Sequence, residues 1–201
     1  MNVVNLHPTL KKALEAPASS ESLPVEKQTP EQARSEFDAD IAAVDTAAPK
    51  MELTKEILIP NKNLPLKGRL YLPYYLNKNS ELLIYFHGGG NIRGSINSHD
   101  STCRVLANSG KILVLSVDYS LAPENPFPAA IDDAVETIKW VYENSRELEF
   151  DPSKLIVGGD SAGGNLAAAA TIHFLENEGP KIAAQMLIYP VVDHVNTYNS
   201  T

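Results

Sequence analysis

From Met51 onward, short apolar runs alternate with longer stretches whose apolar residues recur every three or four positions. That alternation constrains the fold more than any other feature. Ile112–Val117 is apolar but for Ser116, and Leu82–Phe86, Lys154–Val157 and Ile182–Tyr189 are runs of the same kind. Such runs predict strands covered on both faces. Between them lie predicted helices over Ser98–Ser109, Pro128–Glu143 and Ala162–Asn177. In the second, Ile131, Ala134, Val135, Ile138 and Val141 form one stripe, with Trp140 and Tyr142 packing beside it. Strands that alternate with helices need right-handed crossovers and a mostly parallel sheet clothed in helices, an α/β fold. Two further strands, Leu53–Ile59 and Leu66–Leu72, precede this alternation, joined by a turn around Pro60–Pro65.

Residues 1–50 differ. They hold one aromatic, Phe37, and Pro17, Pro24 and Pro30 punctuate a Ser- and Glu-rich linker. Pro8–Glu15 is a weak helix candidate. Thr29–Val44 is a better one, with Thr29 as cap, Pro30 in the first turn, and Ala33, Phe37, Ile41 and Val44 on one face. We expect a helical segment with a linker over 1–50 and a core domain over 51–201. The 201 residues suit one domain, at about 150 residues each. Seventeen basic against 25 acidic residues leave a net charge of −8, which disfavours nucleic acid and anionic lipid as partners. A single cysteine, Cys103, excludes an intrachain disulfide and a paired-cysteine metal site, and reads as a helix core residue. No apolar stretch approaches a membrane span, and Met1–Lys12 has no signal-peptide core, so a cytoplasmic location is expected.

Three motifs carry chemistry. Gly159-Asp160-Ser161-Ala162-Gly163 lies where an apolar strand meets a helix. A serine on so tight a turn is exposed above the carboxyl end of the sheet, and the Ala162 amide opens the helix beside it. A glycine-rich turn with a capping serine is the plainer reading of the same five residues. His87-Gly88-Gly89-Gly90 follows a strand, and its glycines let backbone amides face a cavity. A phosphate cradle is the competing use, disfavoured because no Gly-Lys-Ser/Thr follows. His87, just ahead of the loop, is expected to orient it by a hydrogen bond. Asp118-Tyr119-Ser120-Leu121-Ala122-Pro123-Glu124 follows a central strand, and Glu124 is suited to anchoring that loop.

Together, in this order, the three motifs resemble those of the hormone-sensitive-lipase-like esterases, an α/β-hydrolase-fold family. The resemblance covers roughly Met51–Asp193, and residues 1–50 look like that family's helical cap. It implies a carboxylic-ester hydrolase acting on a small ester with a short or medium acyl chain, without cofactor or metal. It implies Ser161 as nucleophile and an oxyanion hole from Gly88, Gly89, Gly90 and Ala162, with Gly89 and Gly90 the leading donors. His87, Gly159, Asp160 and Gly163 support the motifs. Two positions depart from the family: Asn91 stands where an aromatic follows the glycines, and Ser120 where an arginine braces the loop.

The family's acid and histidine sit on loops after later strands, and only 40 residues follow Ser161. His173 lies three turns along the nucleophile helix, and Asp193 and His194 are adjacent, so neither is expected to complete a triad. The chain therefore reads as a truncated product or incomplete sequence of doubtful activity, with an open sheet edge at Ile182–Tyr189 inviting self-association. A ligand-binding module without turnover and a fragment without function are the alternatives. A peptidase on the same fold is weaker, with no propeller-like domain in view.

Overall fold

The computed structural model describes residues 7, 8, 11, 23–44, 47–62, 64–76 and 79–193. Within them, helix α1 (Pro30–Val44) precedes strands β1 (Leu53–Ile59), β2 (Leu66–Leu72) and β3 (Ser80–Phe86). Helix α2 (Asp100–Gly110), strand β4 (Leu113–Asp118) and helix α3 (Ala129–Glu143) follow, then β5 (Phe150–Asp160), α4 (Ala162–Glu176) and β6 (Ala184–Ile188). The weak candidate at Pro8–Glu15 lies mostly outside the described residues, as does His194.

The sheet order is β1-β2-β4-β3-β5-β6. β1 and β2 pair antiparallel, β2 pairs antiparallel with β4, and β4, β3, β5 and β6 run parallel. This is the expected mostly parallel α/β sheet. The period-two alternation of side chains splits the apolar runs between two cores. Leu82, Ile84 and Phe86 of β3 face α3 and α4, joining Leu115, Ile138, Leu155 and Ala167. Leu83 and Tyr85 face the other way, towards Tyr71, Cys103 and Ala107 of the α2 side. Cys103 is fully buried and its thiol is pushed up to about 12 by burial, so it packs as a small apolar residue.

α1 starts as its sequence suggests. The Gln32 amide donates to Thr29 Oγ1 at 3.3 Å and the Thr29 amide to Gln32 Oε1 at 2.9 Å, a reciprocal capping box.

Three expectations change. β5 runs from Phe150 to Asp160 rather than over Lys154–Val157, because Gly158 and Gly159 continue the ladder without adding apolar signal. The run expected over Ile182–Tyr189 shortens to the five residues of β6, which pairs only with β5 among the described residues and so forms the open edge anticipated there, but it is not covered on both faces. Three of its five residues are exposed. Tyr142, expected to pack, is 39% exposed, while Trp140 rests partly buried against the core.

Ile84 lies at the centre of the sheet with no solvent exposure. Ile84→Ala is expected to lower the unfolding free energy by about 2–5 kcal/mol, read as a shifted urea midpoint.

Candidate active site

Parallel strands place their carboxyl ends on one sheet edge, and the three motifs meet there. Ser161 links β5 to α4 with φ 51° and ψ −115°, a conformation that side chains other than glycine rarely adopt. Its backbone is held on both sides: its amide donates to Ile188 O at 3.0 Å, and its carbonyl accepts from Val191 at 3.2 Å and Asn165 at 3.1 Å. The Asn165 side chain donates to Val191 O at 2.7 Å. The stretch after β6 thus folds back to brace the turn.

The flanking glycines are needed for close approach. A Cβ on Gly159 or on Gly163 would overlap the Phe86 carbonyl, where β3 ends. Space, rather than φ, selects glycine at both places. At the loop after β3 the reason differs, since Gly89 and Gly90 have φ of 126° and 67°. Asn91 continues the turn at φ 60°.

Asp160 ties the two motifs together. Its Oδ1 accepts from the Gly88 amide at 2.9 Å and the Tyr85 hydroxyl at 2.7 Å, and His99 Nε2 lies 3.4 Å away. Burial pushes this carboxyl upward, but the hydrogen bonds from His99 and Tyr85 outweigh it and hold it below the usual range. Tyr85 is raised by burial and by the adjacent carboxylate.

The Gly88 contact changes one expectation. Its amide is occupied by Asp160, so Gly88 serves as an anchor and not as a free donor. Among the described residues no hydrogen bond engages the Gly89 or Gly90 amide. Ala162 opens α4, where first-turn amides have no intrahelical acceptor. His87 behaves as expected: its Nδ1 lies 2.9 Å from Gly88 O and must carry the proton to donate there. The ring stacks on Tyr119 at 4.4 Å, and the Tyr119 hydroxyl donates to His87 O at 2.7 Å. Burial lowers His87 to about 4, so the imidazole is neutral around pH 7.

Above these groups opens a cleft of about 830 Å³. Gly89, Gly90 and Ser161 lie at its base, and Phe37, Ile41, Val105 and Leu106 supply apolar wall. Two contributors escaped the sequence reading. His99, bonded to Ser98 Oγ at 2.9 Å, stacks between Phe37 and His87. Arg34 of α1 makes a forked pair with Glu124 at 2.9 and 2.7 Å and also donates to Ile92 O and Ala122 O. Glu124 anchors its loop as foreseen, and Arg34 holds its carboxyl down at about 2. Ser120, placed where an arginine was expected, donates its amide to buried Asp133. His173 lies in the last turn of α4, edge-on to Phe174. Among the described residues no side chain is hydrogen-bonded to the Ser161 hydroxyl.

The sequence pattern of the alpha/beta hydrolase fold family matches residues 83–201. The chain belongs to that family. It is 40% identical over 145 residues to carboxylesterase NlhH of Mycobacterium tuberculosis, covering 69% of this chain and 46% of that protein. An arylesterase of Saccharolobus solfataricus is 40% identical over 139 residues, covering 69% and 45%. A solved esterase from the archaeon Pyrobaculum calidifontis superposes with a TM-score of 0.87 at 37% identity, covering 93% of this chain and 59% of that one. The chain spans about half the length of the curated relatives it matches. These relatives support the esterase resemblance drawn from the motifs. No helix among the described residues is long and apolar enough to cross a membrane.

Two outcomes follow from this geometry. Gly163→Ala, which forces a Cβ into the Phe86 carbonyl, is expected to cost about 1–3 kcal/mol. Gly90→Ala meets nothing within 4 Å and pays only for its left-handed backbone, about 1–2 kcal/mol. Urea unfolding of the pair should rank Gly163→Ala as the more damaging. The second concerns pH. His87 falls from 6.5 to about 4 on folding, so its contribution is complete above pH 6.5 and is lost as pH drops towards 4. Stability should fall by up to about 1.4 kcal/mol per pH unit within that window, and His87→Gln should flatten the slope in urea titrations.

Proposed function

We propose that this protein performs carboxylic-ester hydrolase chemistry, with Ser161 as nucleophile and Gly89, Gly90 and Ala162 as oxyanion donors. The observation that carries the reading is the coincidence at one sheet edge of a strained, half-buried serine that lines the cleft with two uncommitted loop amides and a helix N-terminus. Attack of the Ser161 hydroxyl on an ester carbonyl places negative charge on the carbonyl oxygen. Preorganised amides about 3 Å from that oxygen stabilise it more than they stabilise the substrate. Collapse of the intermediate expels the alcohol and leaves an acyl-serine, which water then hydrolyses. A cleft of this size with one apolar wall suits a short or medium acyl chain. In this reading residues 1–50 and 51–201 are cap segment and core domain, and the described helix α1 contributes Phe37 and Ile41 to the acyl wall.

Attack needs an imidazole at the Ser161 hydroxyl. Among the described residues His87 donates to Gly88 and His99 lies between Ser98 and Asp160. That observation favours a second reading, a hydrolase-derived pocket that holds a small ester without turning it over.

Incubation with p-nitrophenyl butyrate and, separately, with an alkyl phosphonate ester separates the two. Hydrolysis is expected to fall by at least about a hundredfold in Ser161→Ala, with one phosphonate per chain, at Ser161. Phosphonate labelling or saturable ester binding without turnover would establish the second reading. Turnover that survives Ser161→Ala would overturn the first.

A further inference from the structure

The loop that carries the proposed oxyanion donors does not hold itself in shape. Four of its residues, Gly89, Gly90, Asn91 and Gly94, have positive φ. Its internal bonds are a short turn, with Ile92 and Arg93 donating to Gly89 O at 3.3 and 3.0 Å. Its position therefore depends on outside anchors. Asp160 holds Gly88 at one end, and Asp118 Oδ1 accepts from the Ile96 amide at 2.7 Å at the other. Between these the loop is held by Ala122, whose amide donates to Asn91 O at 2.8 Å, and by Arg34, whose Nε donates to Ile92 O at 2.8 Å.

Arg34 comes from α1, 58 residues away. Its other nitrogens grip Glu124 in a fork and donate to Ala122 O at 3.0 Å. One guanidinium thus joins the cap helix, the oxyanion loop and the loop after β4. A second contact on the same helix supports it: the Arg93 guanidinium sits 5.0 Å over the Phe37 ring. α1 consequently touches the oxyanion loop at two successive residues, Ile92 and Arg93.

We propose that Arg34 is a positioning residue that couples the seating of α1 over the cleft to the geometry of the Gly89–Arg93 loop. The proposal rests on the ester-hydrolase reading of Ser161 for its catalytic meaning but not for its structural content. The coupling is directional because guanidinium is a planar, five-donor fork, and a lysine ammonium cannot serve Glu124, Ile92 and Ala122 together. With α1 seated, Gly89 and Gly90 line the cleft with amides that no hydrogen bond engages among the described residues. With α1 lifted, Ile92 O loses its partner and the glycines sample other conformations.

The test uses the full chain in four forms: wild type, Arg34→Ala, Arg34→Lys and Glu124→Gln. Amide hydrogen exchange is followed by mass spectrometry. Arg34→Ala is expected to raise exchange about tenfold at the hydrogen-bonded Gly88, Ile92 and Arg93 amides, read in peptides spanning residues 88–94, while leaving β3 and β5 unchanged. Glu124→Gln, a gentler change that keeps the protein folded, should raise it less. Arg34→Lys should fail to restore wild-type protection. The second arm is Ser161 phosphonylation: the maximal labelling rate should drop about tenfold in Arg34→Ala, with half-saturation shifting by less than about threefold. Faster exchange confined to residues 23–44, or full rescue by lysine, would overturn the proposal. If the wild-type chain takes no phosphonate, the ester-hydrolase reading fails, while the exchange arm still decides the role of Arg34.

Discussion

The Asp160 carboxylate is the contact on which the rest of the site depends. Largely withdrawn from water, it stays ionised because the Tyr85 hydroxyl, the Gly88 amide and His99 share its charge. Those three partners come from β3, from the loop after it and from the start of α2. A single side chain at the end of β5 therefore sets the distance between the Ser161 turn and the glycine loop. Both glycine motifs follow from that distance. Gly159 and Gly163 leave room for the Phe86 carbonyl, and a Cβ at Gly88 would strike Asp160 itself. The strain at Ser161 persists because neighbouring backbone fixes it from both sides.

A second layer acts through α1. The helix supplies Phe37 and Ile41 to the cleft, and Arg34 makes the wall and the floor mechanically continuous. The ion pair with Glu124 is partly exposed, so its worth lies in geometry more than in raw stability. On the role proposed for Arg34, the seating of α1 and the shape of the Gly89–Arg93 loop change together.

Legibility in the sequence followed the range of the interactions. Strands β3 and β4 and helices α3 and α4 were readable within two residues of their ends, since apolar period and glycine or proline stops are local signals. The length of β5 was not, because Gly158 and Gly159 carry no apolar mark. The open edge at β6 was legible, but its exposed faces were not, because an apolar run carries no mark of whether other elements pack over it. At the site, Ser161, Gly89, Gly90 and Ala162 stood out through compact motifs. His99 and Arg34 did not, being 61 and 90 residues from the groups they serve.

By itself, then, the sequence determined the order of strands and helices, the mostly parallel sheet, and the identity of the serine turn and glycine loop. Each is written in neighbouring residues, through periodicity, steric permission at glycine and backbone bonding at strand ends. Only the tertiary structure decided which glycine amide is free, which cation meets Glu124, and how α1 reaches the loop. Those outcomes turn on hydrogen bonds between groups far apart in the chain. Gly88 and Gly89 are identical in sequence, and only the arrival of Asp160 from the end of β5 makes one an anchor and leaves the other open to the cleft.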